Sequence, residues 1–312
     1  MIGTFVVLML ASLATQADAP TVIVVTGAPG TEEYGTAFNT WADRWQTATE
    51  EAKAQFIRIG DASDQDDRQV LQQKLKKLED SKTPAVWLVL IGHGTFDGTR
   101  AKFNLHGPDV TAEELAKWLT PLPMPLAVIN TASASGPFVN RLSGPNRVIV
   151  TATKSGFEHN YARFGDYLSQ AISDAEADLD KDEQVSLLEA FLAASSHTNE
   201  FYKQDARLVS EHALIDDNGD GLGTPADWFR GYRAIRTAKD GAQADGLRAN
   251  QFVLIRRGDE AKLSETLRQR RDELERQIAE LREKKSSLPE DEYYARLEPV
   301  LIELAKLYQD TE

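Results

Sequence analysis

Between residues 21 and 153 the chain alternates short runs of β-branched and apolar residues with amphipathic stretches, a pattern that few folds accept. The runs TVIVVT from Thr21, QFIRI from Gln55, AVWLVLI from Ala85, LAVIN from Leu126 and RVIVTAT from Arg147 read as strands. AVWLVLI is apolar on both alternations, as a strand covered on both faces of a parallel sheet must be. Between the runs, residues 32–52 place Tyr34, Phe38, Trp41 and Trp45 about a helical turn apart. Residues 64–78 form a second amphipathic helix, capped by Ser63 or Asp64, and 111–119 a third, opened by the capping box Thr111–Glu114. Strand and helix in strict alternation make the class α/β with a largely parallel sheet.

After Phe157 the strands stop and helical spacing continues to about residue 237, interrupted by two acidic loops. Residues 239–250 read as a connector and 251–255 as a possible edge strand. Beyond Asp259 the composition turns to Glu, Arg, Lys and Leu. Leu263, Leu267, Leu274, Ile278 and Leu281 repeat at three- and four-residue spacing, and Ser287 caps a second stripe of Tyr294, Leu297, Leu301, Leu304 and Leu307. The pair reads as an antiparallel coiled-coil hairpin, kinked at Pro299, and its seam is a possible route to self-association. The expected division is a leader at 1–19, an α/β domain at 20–258 that includes the acidic helical region 164–235, and the hairpin at 259–312.

The leader reading rests on the apolar run 2–14, shorter than the ~20 residues a membrane span needs and followed by small residues suited to cleavage. It implies a secreted or periplasmic protein with no membrane span after cleavage. With no cysteine, disulfides, thiolate metal sites and a cysteine nucleophile are excluded. The net charge of −14 argues against a nucleic-acid surface and suits divalent cations, basic partners or simple solubility. Gly27-Ala28-Pro29-Gly30 lacks both nucleotide-loop patterns.

In an open parallel sheet the chemistry gathers beyond the carboxyl ends of the strands. There stand Gly27–Gly30, Gly92-His93-Gly94, the run Ala132-Ser133-Ala134-Ser135-Gly136, and Thr151-Ala152-Thr153. A base and a hydroxyl thus leave two strands at one edge, the requirement for nucleophilic catalysis. This resembles the caspase-like peptidase fold, and within it the legumain family, which carries His-Gly after one strand and Ala-Cys-x-Ser-Gly after another. By that resemblance His93 and Gly94 are catalytic positions, Ser133 takes the place of the cysteine, and Thr151, Thr153 and Glu158 line the substrate pocket. It implies a caspase-like, mostly parallel sheet flanked by helices, with an EF-hand-like helical insertion and the terminal hairpin added. A serine hydroxyl is a far weaker acid than a thiol and normally needs a base held by a third residue. The nearest acid to His93 is Asp97. The resulting expectation is a degenerate peptidase that binds a peptide or protein partner. The alternatives are an active serine hydrolase using Ser133 and His93, and a calcium-dependent scaffold acting through the hairpin.

The acidic loops follow EF-hand spacing, which wraps oxygen ligands around calcium. In the first, Asp178, Asp180, Asp182, Ser186 and Glu189 take positions 1, 3, 5, 9 and 12, and Gln184 supplies the position-7 carbonyl. Glu183 stands where the sixth-position glycine is usual. In the second, Asp216, Asn218, Asp220, Leu222, Thr224 and Asp227 take the corresponding places, with Asp227 shorter than the usual Glu. Two calcium ions, held by adjacent helix–loop–helix units, are expected.

Overall fold

The computed structural model describes residues 19–61, 66–240 and 243–309. The predicted leader lies, but for Ala19, outside the described residues, as do Ser63 and Asp64. The first half of the chain forms β1 (Thr21–Thr26), α1 (Glu32–Glu51), β2 (Gln55–Ile59), α2 (Asp67–Leu78) and β3 (Val86–Ile91). A small antiparallel unit follows, β4 (Gly94–Phe96), β5 (Ala101–Phe103) and β6 (Val110–Thr111), then α3 (Ala112–Leu119), β7 (Leu126–Asn130), α4 (Pro137–Leu142) and β8 (Arg147–Thr151). Helix α3 has the expected capping box on Thr111, while α2 starts later than predicted and is capped by Asp66, whose carboxylate accepts from the Gln69 N–H.

The second half contains α5 (Phe164–Ala171), α6 (Leu187–Gln204), β9 (Leu214–Asp216), β10 (Thr224–Pro225), the short ribbon β11 (Phe229–Arg230) and β12 (Arg233–Ala234), α7 (Leu247–Gln251), α8 (Glu265–Glu283) and α9 (Glu290–Gln309). Among the described residues the main sheet has seven strands in the order β10-β9-β8-β7-β3-β1-β2. From β8 to β2 all neighbours are parallel, and β9 joins antiparallel to β8. The architecture is therefore the expected α/β one, a mostly parallel sheet with helices on both faces. The expectation that strands end at residue 157 is corrected by β9 and β10. Leu214 and Ile215 pair with Thr151 and Val150, and Ile215 is fully buried, so an isolated two-residue apolar signal is used as a sheet edge.

Alternation along each strand builds the two halves of the core. Val22, Val24, Trp87, Val89, Ile129 and Val150 face α1, α5 and α6, whereas Ile23, Val25, Leu88, Leu90, Val128 and Ile149 face α2, α3 and α4. All are essentially inaccessible to water, and each such side chain contributes about 1.5–3 kcal/mol by burial. This double cover keeps the strand ends rigid, and the candidate site depends on those ends.

The predicted edge strand at 251–255 is only a single bridge, Val253 to Ser186, with α7 covering its beginning. The hairpin forms, but its seam is rotated. Leu263, Leu274 and Leu307 are buried with Leu267, Val300 and Leu304 packed around them, while Tyr294 and Leu301 from the predicted stripe are exposed. Tyr293 takes the inward place instead. Pro299 lies inside α9, which continues through it. The hairpin is tied back by the buried Arg271–Glu260 ion pair (2.5 Å) and the Gln251 amide donating to Glu275 (2.9 Å). Among the described residues no helix is long and apolar enough to cross a membrane.

Candidate functional site

Strands β3 and β7 are adjacent and parallel, with Val86 opposite Leu126, so the residues that follow them emerge side by side. His93 and Ser133 are those residues. The Ser133 hydroxyl sits against the Gly94 backbone, accepting from its N–H at 3.4 Å and donating to its carbonyl at 3.3 Å. Gly94 is required there: a Cβ would stand 2.2 Å from the Ser133 carbonyl oxygen. Ser133 is 4% exposed, and neither hydrogen bond of its hydroxyl goes to the His93 imidazole.

His93 is oriented by a group that sequence reasoning missed. Its Nε2 lies 3.2 Å from the carbonyl oxygen of Pro29, in the turn after β1, which adjoins β3 in the sheet. A carbonyl can only accept, so Nε2 carries the proton and Nδ1 is left with the lone pair. Asp97, the acid nearest in sequence, instead accepts from the Thr99 and Arg100 N–H groups in its own turn. The ring of His93 is packed edge-on by Tyr34 (4.8 Å), Phe38 (5.2 Å) and Tyr161 (6.4 Å). Burial among these rings pushes its pKa below the usual 6.5, against the opposing effect of the Pro29 hydrogen bond. Burial likewise raises the Tyr161 hydroxyl to about 12. The aromatic stripe of α1, legible in the sequence as core, thus also forms one wall of the site.

The segment after Ser133 is held by internal bonds. Ala134 has a positive φ of 54°, costly for a residue with a side chain, and its N–H donates to the Glu158 carbonyl at 2.8 Å. The Ser135 and Thr153 hydroxyls are 3.1 Å apart, and Thr153 Oγ1 also accepts from the Gly136 N–H at 3.0 Å. The Thr151 hydroxyl donates to the Thr153 carbonyl, and both threonines are fully buried. Glu158 accepts from the Lys154 N–H (2.9 Å) and pairs with His212 Nδ1 at 2.6 Å. Beside it the buried Glu211 accepts from the Arg163 and Phe164 N–H groups and the Tyr202 hydroxyl, and burial raises its pKa. Of the predicted pocket residues, Thr153 and Glu158 therefore hold the segment 134–136 that follows Ser133, and Thr151 holds Thr153. One apolar ledge stands open beside them: Phe157, 71% exposed, meets Phe96 edge-on at 5.2 Å.

The first acidic loop gathers Asp178, Asp180 and Asp182, whose ligand oxygens lie within 4.8 Å of one another. Glu183, at the glycine position, has φ +72°, the left-handed turn the spacing demands. Ser186 and Glu189 form a capping box at the start of α6, and Glu189 Oε1 also takes the Leu179 and Asp180 N–H groups. The Gln184 amide donates to Asp182. Asp180 Oδ1 is buried without a partner, and burial together with Asp182 and Glu189 pushes this carboxyl up to about 6.

The second loop departs from the expected helix–loop–helix unit: it connects β9 to β10 and so belongs to the sheet. Asp216 accepts from the Ser143 hydroxyl and the Gly219 N–H through Oδ1, while Oδ2 is buried without a partner. Burial, then nearby Asp245, pushes Asp216 up to about 6. Asn218 and Asp220 cap the Asp220 and Leu222 N–H groups, the Thr224 hydroxyl donates to Asp245, and Leu222 and Asp227 are exposed. Asp245, in the sequence only part of a connector, is buried within this loop, and burial beside Asp217 pushes it up to about 7. The two orphaned carboxylate oxygens suit a divalent cation, which would supply the missing partner for each.

No family model and no curated protein matches this sequence. Solved structures similar to it include two caspases. The Drosophila initiator caspase Dronc shares 14% identity, with 68% of this chain and 83% of that one covered at a TM-score of 0.44. Caspase-1 from Spodoptera frugiperda shares 10%, covering 64% and 87% at a TM-score of 0.43.

Proposed function

We propose that the protein is an exported, caspase-fold homologue of legumain-type peptidases that binds a peptide or protein segment at the edge beyond β3 and β7 without cleaving it. Calcium would be held by Asp178, Asp180 and Asp182 in one loop and by Asp216, Asn218 and Asp220 in the other, bracing the helical half of the chain. The observation that carries the loss of cleavage is the placement of the Ser133 hydroxyl on the Gly94 N–H and carbonyl and not on His93. An alcohol with no base on its proton is a poor nucleophile, and neutral His93 is bonded elsewhere. A thiol in the same place would ionise far more readily. Ser133→Cys should therefore gain cleavage of unstructured peptides, and His93→Ala in that background should abolish it. Absence of any gain in a folded Ser133→Cys protein would sink this reading.

A second reading, an active serine hydrolase, is favoured by one observation: the Pro29 carbonyl holds His93 with Nδ1 free, and burial keeps the ring neutral at pH 7. On that route the Ser133 hydroxyl swings off Gly94 and gives its proton to Nδ1 as Oγ bonds to the acyl carbon. The imidazolium then returns the proton to the departing amine, and water reverses the sequence. A fluorophosphonate probe that labels Ser133, with labelling lost in His93→Ala, would establish it. A third role, partner assembly through the hairpin, draws on Tyr294, Leu301 and Ile302, which α9 leaves exposed.

A further inference from the structure

Among the described residues no strand pairing or hydrogen bond joins the two acidic loops, although α6 packs against Ala226–Trp228 at the end of the second. Ser186 of the first bridges to Val253, and Thr224 of the second pairs with Ile215. Both are instead fastened to one stretch, 245–253. At its start, Asp245 accepts from the Asp217 N–H (2.9 Å), the Asn218 N–H (3.2 Å) and the Thr224 hydroxyl (2.5 Å). Asp217 reciprocates, accepting from the Gly246 N–H (2.9 Å) and the Ala249 N–H (2.8 Å), which closes the first turn of α7. At the other end, Asn250 Oδ1 accepts from the Ser186 hydroxyl at 3.2 Å, and the Leu187 N–H donates to the Phe252 carbonyl at 2.8 Å. Asn250 also faces the Asp180 carboxylate.

These fastenings fall on the candidate ligands or their immediate neighbours: Asp217 follows Asp216, and Ser186 is itself the ninth position of its loop. Asp216 is fully buried, yet its Oδ2 has no partner, which is the kind of oxygen a cation in the second loop would satisfy. A cation that drew in either set of oxygens would fix the stretch 245–253 at one end and thereby order its other end.

We propose that residues 245–253 form a shared strut that joins the two loops into one cooperative cation-binding unit, with Asp245 and Asn250 as its positioning residues. The proposal rests on the calcium reading above and adds the coupling. The first ion bears the cost of ordering the strut, and the second binds to a stretch already ordered. Linkage makes the effect reciprocal.

Calcium titration of the full chain by calorimetry is the test. The wild-type protein should bind two ions with positive cooperativity. Asp216→Ala should lower the affinity of the first loop by about fivefold or more, although among the described residues no hydrogen bond joins the two loops. In an Asn250→Ala background the same substitution should leave the first loop unchanged within twofold. Two independent ions in the wild type, or a first loop indifferent to Asp216→Ala, would overturn the coupling while leaving the calcium reading standing; no calcium binding at all removes both. Should Asn250→Ala not fold, hydrogen exchange decides. Calcium added to Asp178→Ala, which fills only the second loop, should slow exchange of the Leu187 amide at the far end of the strut, and unchanged exchange there overturns the proposal.

Discussion

The sheet edge and the acidic loops are both clusters of polar groups set on an apolar scaffold, and they differ in the kind of group each leaves without a partner. At the edge, Ser133 is matched by Gly94, Ser135 by Thr153, and Ala134 by Glu158, and the buried groups left over, Thr26 Oγ1, Asn104 Oδ1 and Asn130 Nδ2, are neutral. In the loops, Asp180 and Asp216 each keep a buried oxygen without a partner. A buried polar group left unpaired costs about 1–3 kcal/mol, and more when it is charged, so the carboxylates of the loops have more to gain from a cation than the neutral groups of the edge. The edge leaves neutral groups unpaired; the loops leave carboxylates.

Four measurements would break or sharpen that contrast. The largest effect is expected for Gly94→Ala, whose methyl would stand 2.2 Å from a backbone oxygen; a loss of about 3 kcal/mol in urea unfolding is expected. A change within experimental error would mean that Gly94 and Ser133 are not tightly packed. Next comes calcium. At a concentration a hundredfold above the dissociation constant, it should stabilise the wild-type protein by about 2.7 kcal/mol per site in thermal unfolding, and Asp178→Ala should lose one such increment. Ser133→Ala is expected to cost about 1 kcal/mol or less, because the bonds it removes are long, at 3.3 and 3.4 Å. The smallest effect concerns pH. Burial lowers the His93 pKa, so the folded chain holds that proton less tightly than the unfolded chain does. The contribution of neutral His93 to stability is complete above pH 6.5 and is lost as the pH falls through the depressed value. The imidazole should titrate in NMR with a midpoint below 6.5, and a midpoint at or above it would contradict the packing by Tyr34 and Phe38.

Much of the scaffold could be read without coordinates. β1, β2 and β7 have the predicted limits, because runs such as TVIVVT and LAVIN suit only strands covered on both faces. β9 could not be read, since Leu214 and Ile215 gain strand character only from the neighbour they pair with, β8. The hairpin seam was misplaced by one position at Tyr293 and Tyr294, because a stripe of adjacent aromatics leaves open which of the two turns inward. At the candidate site the sequence marked His93 and Ser133 through their place after strands, but not the Pro29 carbonyl. A backbone acceptor has no side-chain signature.

What the sequence determined by itself is therefore the local grammar: which runs are strands, where Thr111 caps a helix, and which acids recur at ligand spacing. Tertiary structure alone decided which groups meet. It set Ser133 on Gly94, gave His93 the Pro29 carbonyl, and brought Asp245 and Asn250 from an unremarked connector to the two loops. The physical reason is one of range. Periodicity and capping act over a turn or two of chain, whereas a hydrogen bond between residues 64 positions apart, as from His93 to Pro29, exists only once the sheet has set its strands side by side.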